Sequence, residues 1–201
     1  MRIGLLLFDQ VDLLDVGGPY EVFLTANRLA ARSGLEAPFD VFTMGVSESP
    51  IASYGGLGLT ATCSVDDAGP LDVLIVPGTV DIDTTSADPH VTSAIRALAG
   101  NATLLTSVCT GSILLARAGL LASAAAATTH HEDIGILAEV LGKRAVEARW
   151  VDAGSIVTAG GLSNGLAMAL HLVDRLAGRE LAITTAAQIA YSWDPDDGIH
   201  A

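Results

Sequence analysis

The sequence predicts an α/β chain: a single domain over residues 1–201, a three-layer α/β/α sandwich on a mostly parallel central sheet. Three observations carry that expectation. Short apolar, β-branched runs recur at residues 2–8, 39–44, 73–76 and 103–108, as strands buried on both faces require. Helical spacing fills the segments between them, and strands alternating with helices imply parallel strands joined by crossovers. No repeat, linker or shift in composition divides the 201 residues, a length that suits one core.

Composition narrows the function classes. Hydrophobic residues make up 50% and charged residues 16%, the balance of a globular chain. Ten Lys and Arg stand against 23 Asp and Glu, a net charge of −13, which is a poor fit for binding nucleic acid by phosphate neutralisation. Apolar runs are broken by charge or glycine before membrane-span length, and residues 1–8 enter a strand without a basic leader. A soluble cytoplasmic protein is expected. The two cysteines, Cys63 and Cys109, form no CxxC, so neither a disulfide scaffold nor a zinc finger is indicated. Cys63 has no turn pattern around it and reads as a packing residue. His130, His131 and Glu132 are adjacent rather than four apart, so they make no helical metal pair.

Residues 2–8 read as the first strand and residues 9–12 as a loop. Pro19 suits the first turn of a helix, and Tyr20, Phe23, Leu24, Asn27 and Ala31 continue it. Asp15 then lies just ahead of that helix, between Leu14 and Val16. There it either complements the helix dipole or sits in an apolar pocket that raises its pKa. Gly55, Gly56 and Gly58 mark turns, so residues 53–60 read as a hairpin or an excursion. The strand at 73–76 ends on Pro77-Gly78-Thr79, where a glycine permits a turn or the close approach of a ligand. A helix opens at Asp88-Pro89. Residues 124–128 are β-compatible and lead to His130, either a hydrogen-bonded structural histidine or a site residue at a strand end. A helix to about Leu141 follows, closed by Gly142. Short strands at 145–151 and 155–158, a helix at 165–177 closed by Gly178, and a last helix at 180–191 complete the elements. The tail from Trp193 reads as polar surface.

The chain is organised around residues 103–115. A buried strand runs into Ser107-Val108-Cys109-Thr110-Gly111-Ser112, and a helix follows. A cysteine at such a strand-to-helix turn is held up at the sheet edge, as a nucleophile elbow holds its serine. The helix N-terminus behind it favours a thiolate. The alternative is a buried, inert cysteine. Because ligands in parallel sheets sit beyond the carboxyl ends of the strands, Asp15, Gly78, Cys109 and His130 can meet at one edge.

These same residues carry a resemblance. Leu14-Asp15-Val16-Gly17-Gly18-Pro19, Val76-Pro77-Gly78, the Cys109-Thr110-Gly111-Ser112 elbow, Thr128-Thr129-His130 and Ala159-Gly160-Gly161 together resemble the ThiJ/PfpI superfamily, a flavodoxin-like, class I glutamine-amidotransferase-like fold. Within it the Asp before Gly-Pro and the Cys-Thr-Gly-Ser elbow are most similar to the isocyanide hydratase branch, and the amidotransferase-like domain of some AraC-type regulators is similar too. The resemblance implies Cys109 as nucleophile, Asp15 as the carboxyl touching it and Thr110 in the site, with Gly78, Thr79, Gly17 and His130 around a small-molecule substrate. PfpI proteases carry histidine where this chain has Thr110, which argues against proteolysis. Thr79 and Gly17 depart from the residues relatives often have at the pocket rim.

The implied reaction hydrates an isocyanide to an N-substituted formamide, with no metal or organic cofactor. The Cys109 thiolate attacks the terminal carbon, a protonated Asp15 supplies the proton, and the resulting carboxylate activates water. N–H groups at Thr110 and Gly78 are expected to stabilise developing negative charge. The alternatives are a glyoxalase- or deglycase-like enzyme acting on small dicarbonyls, and a thiol sensor or ligand-binding module without turnover. A homodimer is carried over from the resemblance.

Overall fold

The computed structural model describes residues 1–47 and 50–201. Its centre is an eight-stranded sheet ordered β10-β8-β9-β7-β6-β1-β2-β5. These strands are β1 (Arg2–Leu7), β2 (Asp40–Gly45), β5 (Cys63–Ser64), β6 (Leu71–Val76), β7 (Ala102–Ser107), β8 (Trp150–Asp152), β9 (Ile156–Ala159) and β10 (Ile199–His200). All neighbours pair in parallel except β8 with β9. β3 (Ile51–Ala52) and β4 (Gly58–Leu59) form the small hairpin read from the glycines.

The central strands are apolar on both faces because both are covered. Ile3, Leu5, Leu6, Val73, Leu74, Ile75 and Val76 are all fully buried. On one side α1 (Leu13–Arg32), α6 (Asn164–Ala177) and α7 (Arg179–Gln188) pack against one another. On the other lie α2 (Ile82–Ala87), α3 (Pro89–Gly100), α4 (Gly111–Arg117) and α5 (Ile134–Leu141). Asp88 caps α3 as expected, accepting from the His90 N–H at 2.8 Å, and Pro89 sits at its first position. Gly142 and Gly178, at φ 59° and 101°, close α5 and α6.

Four readings need correction. α1 begins at Leu13, so Asp15 lies within its first turn and Pro19 in its interior. Gly17 and Gly18 therefore do not break the helix. A Cβ on Gly18 would lie 3.5 Å from Leu166 of α6, an ordinary packing distance. Residues 124–128 form no strand, only a bridge from Ala127 to Ala145, and His130 leads into a 3₁₀ turn (His131–Asp133) before α5. α2 was not anticipated. Finally, the tail joins the sheet: β10 pairs with β8, Arg149 holds Asp197 at 2.9 Å, and Gly198 lies flat on the Trp150 ring, where a Cβ would come within 2.0 Å.

Candidate functional site

β6, β7 and β9 run in parallel, so their carboxyl ends deliver Gly78, Cys109 and Gly160 to one edge of the sheet, and α1 follows β1 to the same edge. Between β7 and α4, Cys109 takes φ 55°, the left-handed region that a side-chain-bearing residue rarely occupies. The turn is held from several directions. The Cys109 N–H donates to the carbonyls of Ala159 and Gly160 at 3.1 and 3.0 Å. Its own carbonyl accepts from the Thr129 hydroxyl at 3.0 Å and from the Ser112 hydroxyl at 3.2 Å. Gly111 is required by contact: a Cβ there would lie 2.2 Å from the Val76 carbonyl oxygen.

Asp15 reaches the same place from α1. It is completely buried. Its Oδ2 accepts from the Gly78 N–H at 2.9 Å, while Oδ1 is buried without a partner. Gly78 is packed between the two candidates: a Cβ on it would come within 2.6 Å of Thr110 Oγ1 and 2.7 Å of Asp15 Oδ2. Burial pushes the Asp15 carboxyl up to about 8; the Gly78 hydrogen bond opposes the shift, and the charge of Asp12 adds to it. Of the two sequence readings of Asp15, the apolar pocket is the one observed, and the carboxyl is a neutral acid at pH 7.

The sulfur departs from expectation. Burial pushes the Cys109 thiol up to about 12, and the Asp15 charge pushes the same way. The N–H groups of Leu162 and Thr110 favour the thiolate but are outweighed, and Asp12 opposes it further. The expected thiolate is thus a thiol at rest. α4 is only seven residues long, and its N-terminus cannot repay the desolvation of an ion so deep. Cys109 retains 6% of its surface.

The remaining candidates divide. The Thr110 hydroxyl donates to the Thr79 carbonyl at 2.7 Å and accepts from the Thr79 N–H at 2.8 Å, a reciprocal clamp between the two turns. Thr79 is itself buried, its hydroxyl turned to the Gln10 carbonyl at 3.0 Å, so it braces the rim and presents little surface to a substrate. The Gly78 N–H, expected to stabilise developing charge, is already engaged by Asp15. Gly17 is on α1 with open space where its Cβ would be. The His130 ring packs on Gly161, and its Nδ1 accepts weakly from the Glu132 N–H at 3.4 Å. Two contributors were missed: Leu162, whose N–H faces the sulfur, and Asp12, whose charge acts on both Asp15 and Cys109. Leu162 also has positive φ, at 39°, which no residue type at that position signals.

Residues 1–175 match the family model described as the DJ-1/PfpI family. The chain belongs to the DJ-1/PfpI family. Among its relatives, it is 36% identical to the isonitrile hydratase of Pseudomonas putida over 195 residues, covering 97% of this chain and 80% of that one. It is 31% identical to the HTH-type transcriptional regulator GbdR of Pseudomonas aeruginosa, covering 94% of this chain but only 50% of the regulator, so it spans half that protein's length. Its fold superposes on a ThiJ/PfpI family protein from Pseudomonas syringae with a TM-score of 0.83 at 27% identity, covering 97% of this chain and 76% of that one. The mostly parallel sheet covered by helices on both sides is thus the architecture of this DJ-1/PfpI family. Among the described residues, no helix is long and apolar enough to cross a membrane.

Proposed function

We propose that this DJ-1/PfpI chain hydrates an isocyanide to an N-substituted formamide, with Cys109 as nucleophile and Asp15 as general acid and base. The observation that supports it most is the Asp15 carboxyl: an acid neutral at pH 7, held by one oxygen on Gly78, with the other oxygen buried and unpartnered. An isocyanide carbon needs a proton as it is attacked, and a neutral acid in an apolar pocket can supply it.

Because both groups hold protons at rest, the first step runs without a standing thiolate. The Cys109 sulfur bonds to the terminal carbon while Asp15 gives that carbon its proton. The thiol proton passes to Asp15, leaving the thioimidate Cys–S–CH=N–R and a neutral carboxyl. Water then adds to the same carbon, with Asp15 taking a proton from the water and giving one to the nitrogen. Collapse of Cys–S–CH(OH)–NH–R breaks the C–S bond, and the hydroxyl proton returns to sulfur. The net change is R–NC plus water to R–NH–CHO. Leu162 and Thr110 N–H groups steady the sulfur as it gains and loses charge. The Thr110–Thr79 clamp holds the elbow against Gly78. The same reading proposes a cytoplasmic homodimer with no cofactor, checked by light scattering and cell fractionation.

The test is side-by-side assay of an aryl isocyanide and methylglyoxal with the parent, Cys109→Ala and Asp15→Asn. Formamide from the isocyanide, lost in both variants, supports the proposal. Turnover of methylglyoxal alone makes the protein a dicarbonyl enzyme instead. Binding of either compound without product makes it a ligand-binding module, as a relative among transcriptional regulators would suggest.

A further inference from the structure

The two residues Gly78 and Thr79 form a joint between the acid and the elbow, and all four of their main-chain polar groups are engaged. Gly78 serves α1. Its N–H donates to Asp15 Oδ2 at 2.9 Å, and its carbonyl accepts from the N–H of Asp12, the N-cap of that helix, at 2.9 Å. Thr79 serves the elbow. Its N–H donates to Thr110 Oγ1 at 2.8 Å, and its carbonyl accepts from the same hydroxyl at 2.7 Å. One dipeptide therefore holds the start of the helix that carries Asp15 and the residue that follows Cys109. The Gly78 carbonyl and the Thr79 N–H belong to a single planar peptide, so turning that plane would release both sides together. Gly78 has no side chain to resist the turn.

The resistance comes from the Thr79 side chain, which is buried. Its hydroxyl donates to the Gln10 carbonyl at 3.0 Å and accepts from the Thr85 hydroxyl at 3.3 Å. Both partners are anchored in turn. Gln10, at φ 66°, gives its N–H to the Ala52 carbonyl at 2.8 Å, and Thr85 is buried on α2. Val11 forms an antiparallel bridge to Thr79 beside them. Breaking these hydrogen bonds would leave buried polar atoms unpaired, so the hydroxyl stays with its partners and anchors the backbone on which it stands.

We propose that Thr79 is a positioning residue of this site: its hydroxyl, pinned between Gln10 and Thr85, holds the Gly78–Thr79 peptide in the orientation that sets the Asp15 carboxyl against the Cys109 elbow. Thr79 acts through Gly78 and Thr110 and needs no contact with a substrate. The inference rests on Asp15 and Cys109 working as a pair, but not on the substrate being an isocyanide.

The test separates the hydroxyl from the bulk of the side chain. Thr79→Ser keeps the hydroxyl, Thr79→Val keeps the shape without it, and Thr85→Val removes only the longer of the two hydrogen bonds. In the parent and each variant the Asp15 carboxyl carbon is titrated by NMR, and kinetics with an aryl isocyanide are measured beside it. The Gly78 N–H opposes the burial that raises the Asp15 pKa. With the peptide turned and that hydrogen bond loosened, Thr79→Val should raise the Asp15 midpoint by about half a pH unit or more. It should lower kcat about 10- to 100-fold while KM stays within about twofold, the pattern of misplaced groups and not of lost binding. Thr79→Ser should keep the parent's midpoint and a kcat within about threefold of it. Thr85→Val should move both quantities in the direction of Thr79→Val, by less. The proposal is overturned if the Thr79→Val midpoint stays at or falls below the parent's, if its kcat matches that of an active parent, or if Thr79→Ser departs as far as Thr79→Val. Should Thr79→Val fail to fold, a Thr85→Val midpoint equal to the parent's overturns it in the same way, and a raised one supports it. The titration uses no isocyanide, so a parent that hydrates none leaves the midpoints to decide, and failure of the hydratase reading is seen separately.

Discussion

Replacing Asp15 by Asn should stabilise the protein while abolishing its proposed chemistry, and the gain should grow with pH. The carboxyl ordinarily ionises near 3.8 but in the folded chain near 8. Its folded pKa is raised, so its contribution to stability is fully present below the unfolded value and is lost as pH rises through the folded one. Between those limits the unfolded chain ionises and the folded chain does not, at about 1.4 kcal/mol per pH unit. From 3.8 to pH 7 this amounts to about 4 kcal/mol. Asn keeps an acceptor for the Gly78 N–H and leaves a neutral group where Oδ1 lies unpartnered, so the two neutral forms nearly cancel. For a chain of this size the gain corresponds to a Tm rise of roughly 10 °C at neutral pH. Denaturant unfolding of parent and Asp15→Asn, repeated from about pH 5 to about pH 10, is the assay. The expected difference widens with each pH step and levels off above the folded midpoint. A difference that stays constant across the range would refute the buried, neutral acid.

Other predictions follow from contacts at the elbow. Gly78→Ala places a Cβ 2.6–2.9 Å from Thr110 Oγ1, Asp15 Oδ2 and the Thr110 nitrogen; formamide production should fall at least about 100-fold, as a misplaced reacting group implies. Thr110→Val removes both hydrogen bonds of the Thr79 clamp and should cost about 1–3 kcal/mol in unfolding free energy, read by denaturant titration. At Cys109, φ 55° favours glycine, so Cys109→Gly should be about 1 kcal/mol more stable than Cys109→Ala, although both are inactive. Gly198→Ala should lift the tail off Trp150 and speed amide exchange at Ile199 and His200 without touching the sheet's centre.

The layers of this fold were legible because buried parallel strands need uninterrupted apolar runs, and β1, β2, β6 and β7 have them. The elbow was legible for a similar reason: only small residues fit where Gly111 meets the Val76 carbonyl. What escaped was long-range. Asp15 was read as lying ahead of the helix that Pro19 opens, whereas α1 begins at Leu13 and runs on through Gly17 and Gly18, packed against α6 and α7 from far along the chain. Placing the helix start too late kept Asp12 from being seen as its N-cap and Asp15 as part of its first turn. β10 is two residues of exposed edge strand, recruited by a ring that Gly198 happens to fit, and no periodicity marks it. The state of the sulfur was misread because a helix N-terminus is visible in a sequence whereas the depth of burial around Cys109 is not.

The measurement that bears most directly on all of this is the titration of the Asp15 carboxyl carbon by NMR in aspartate-labelled protein, assigned by its absence in Asp15→Asn. A midpoint near 8 is the result expected of an acid kept neutral beside the sulfur. A midpoint at about 4, the value of a free aspartate, would contradict it.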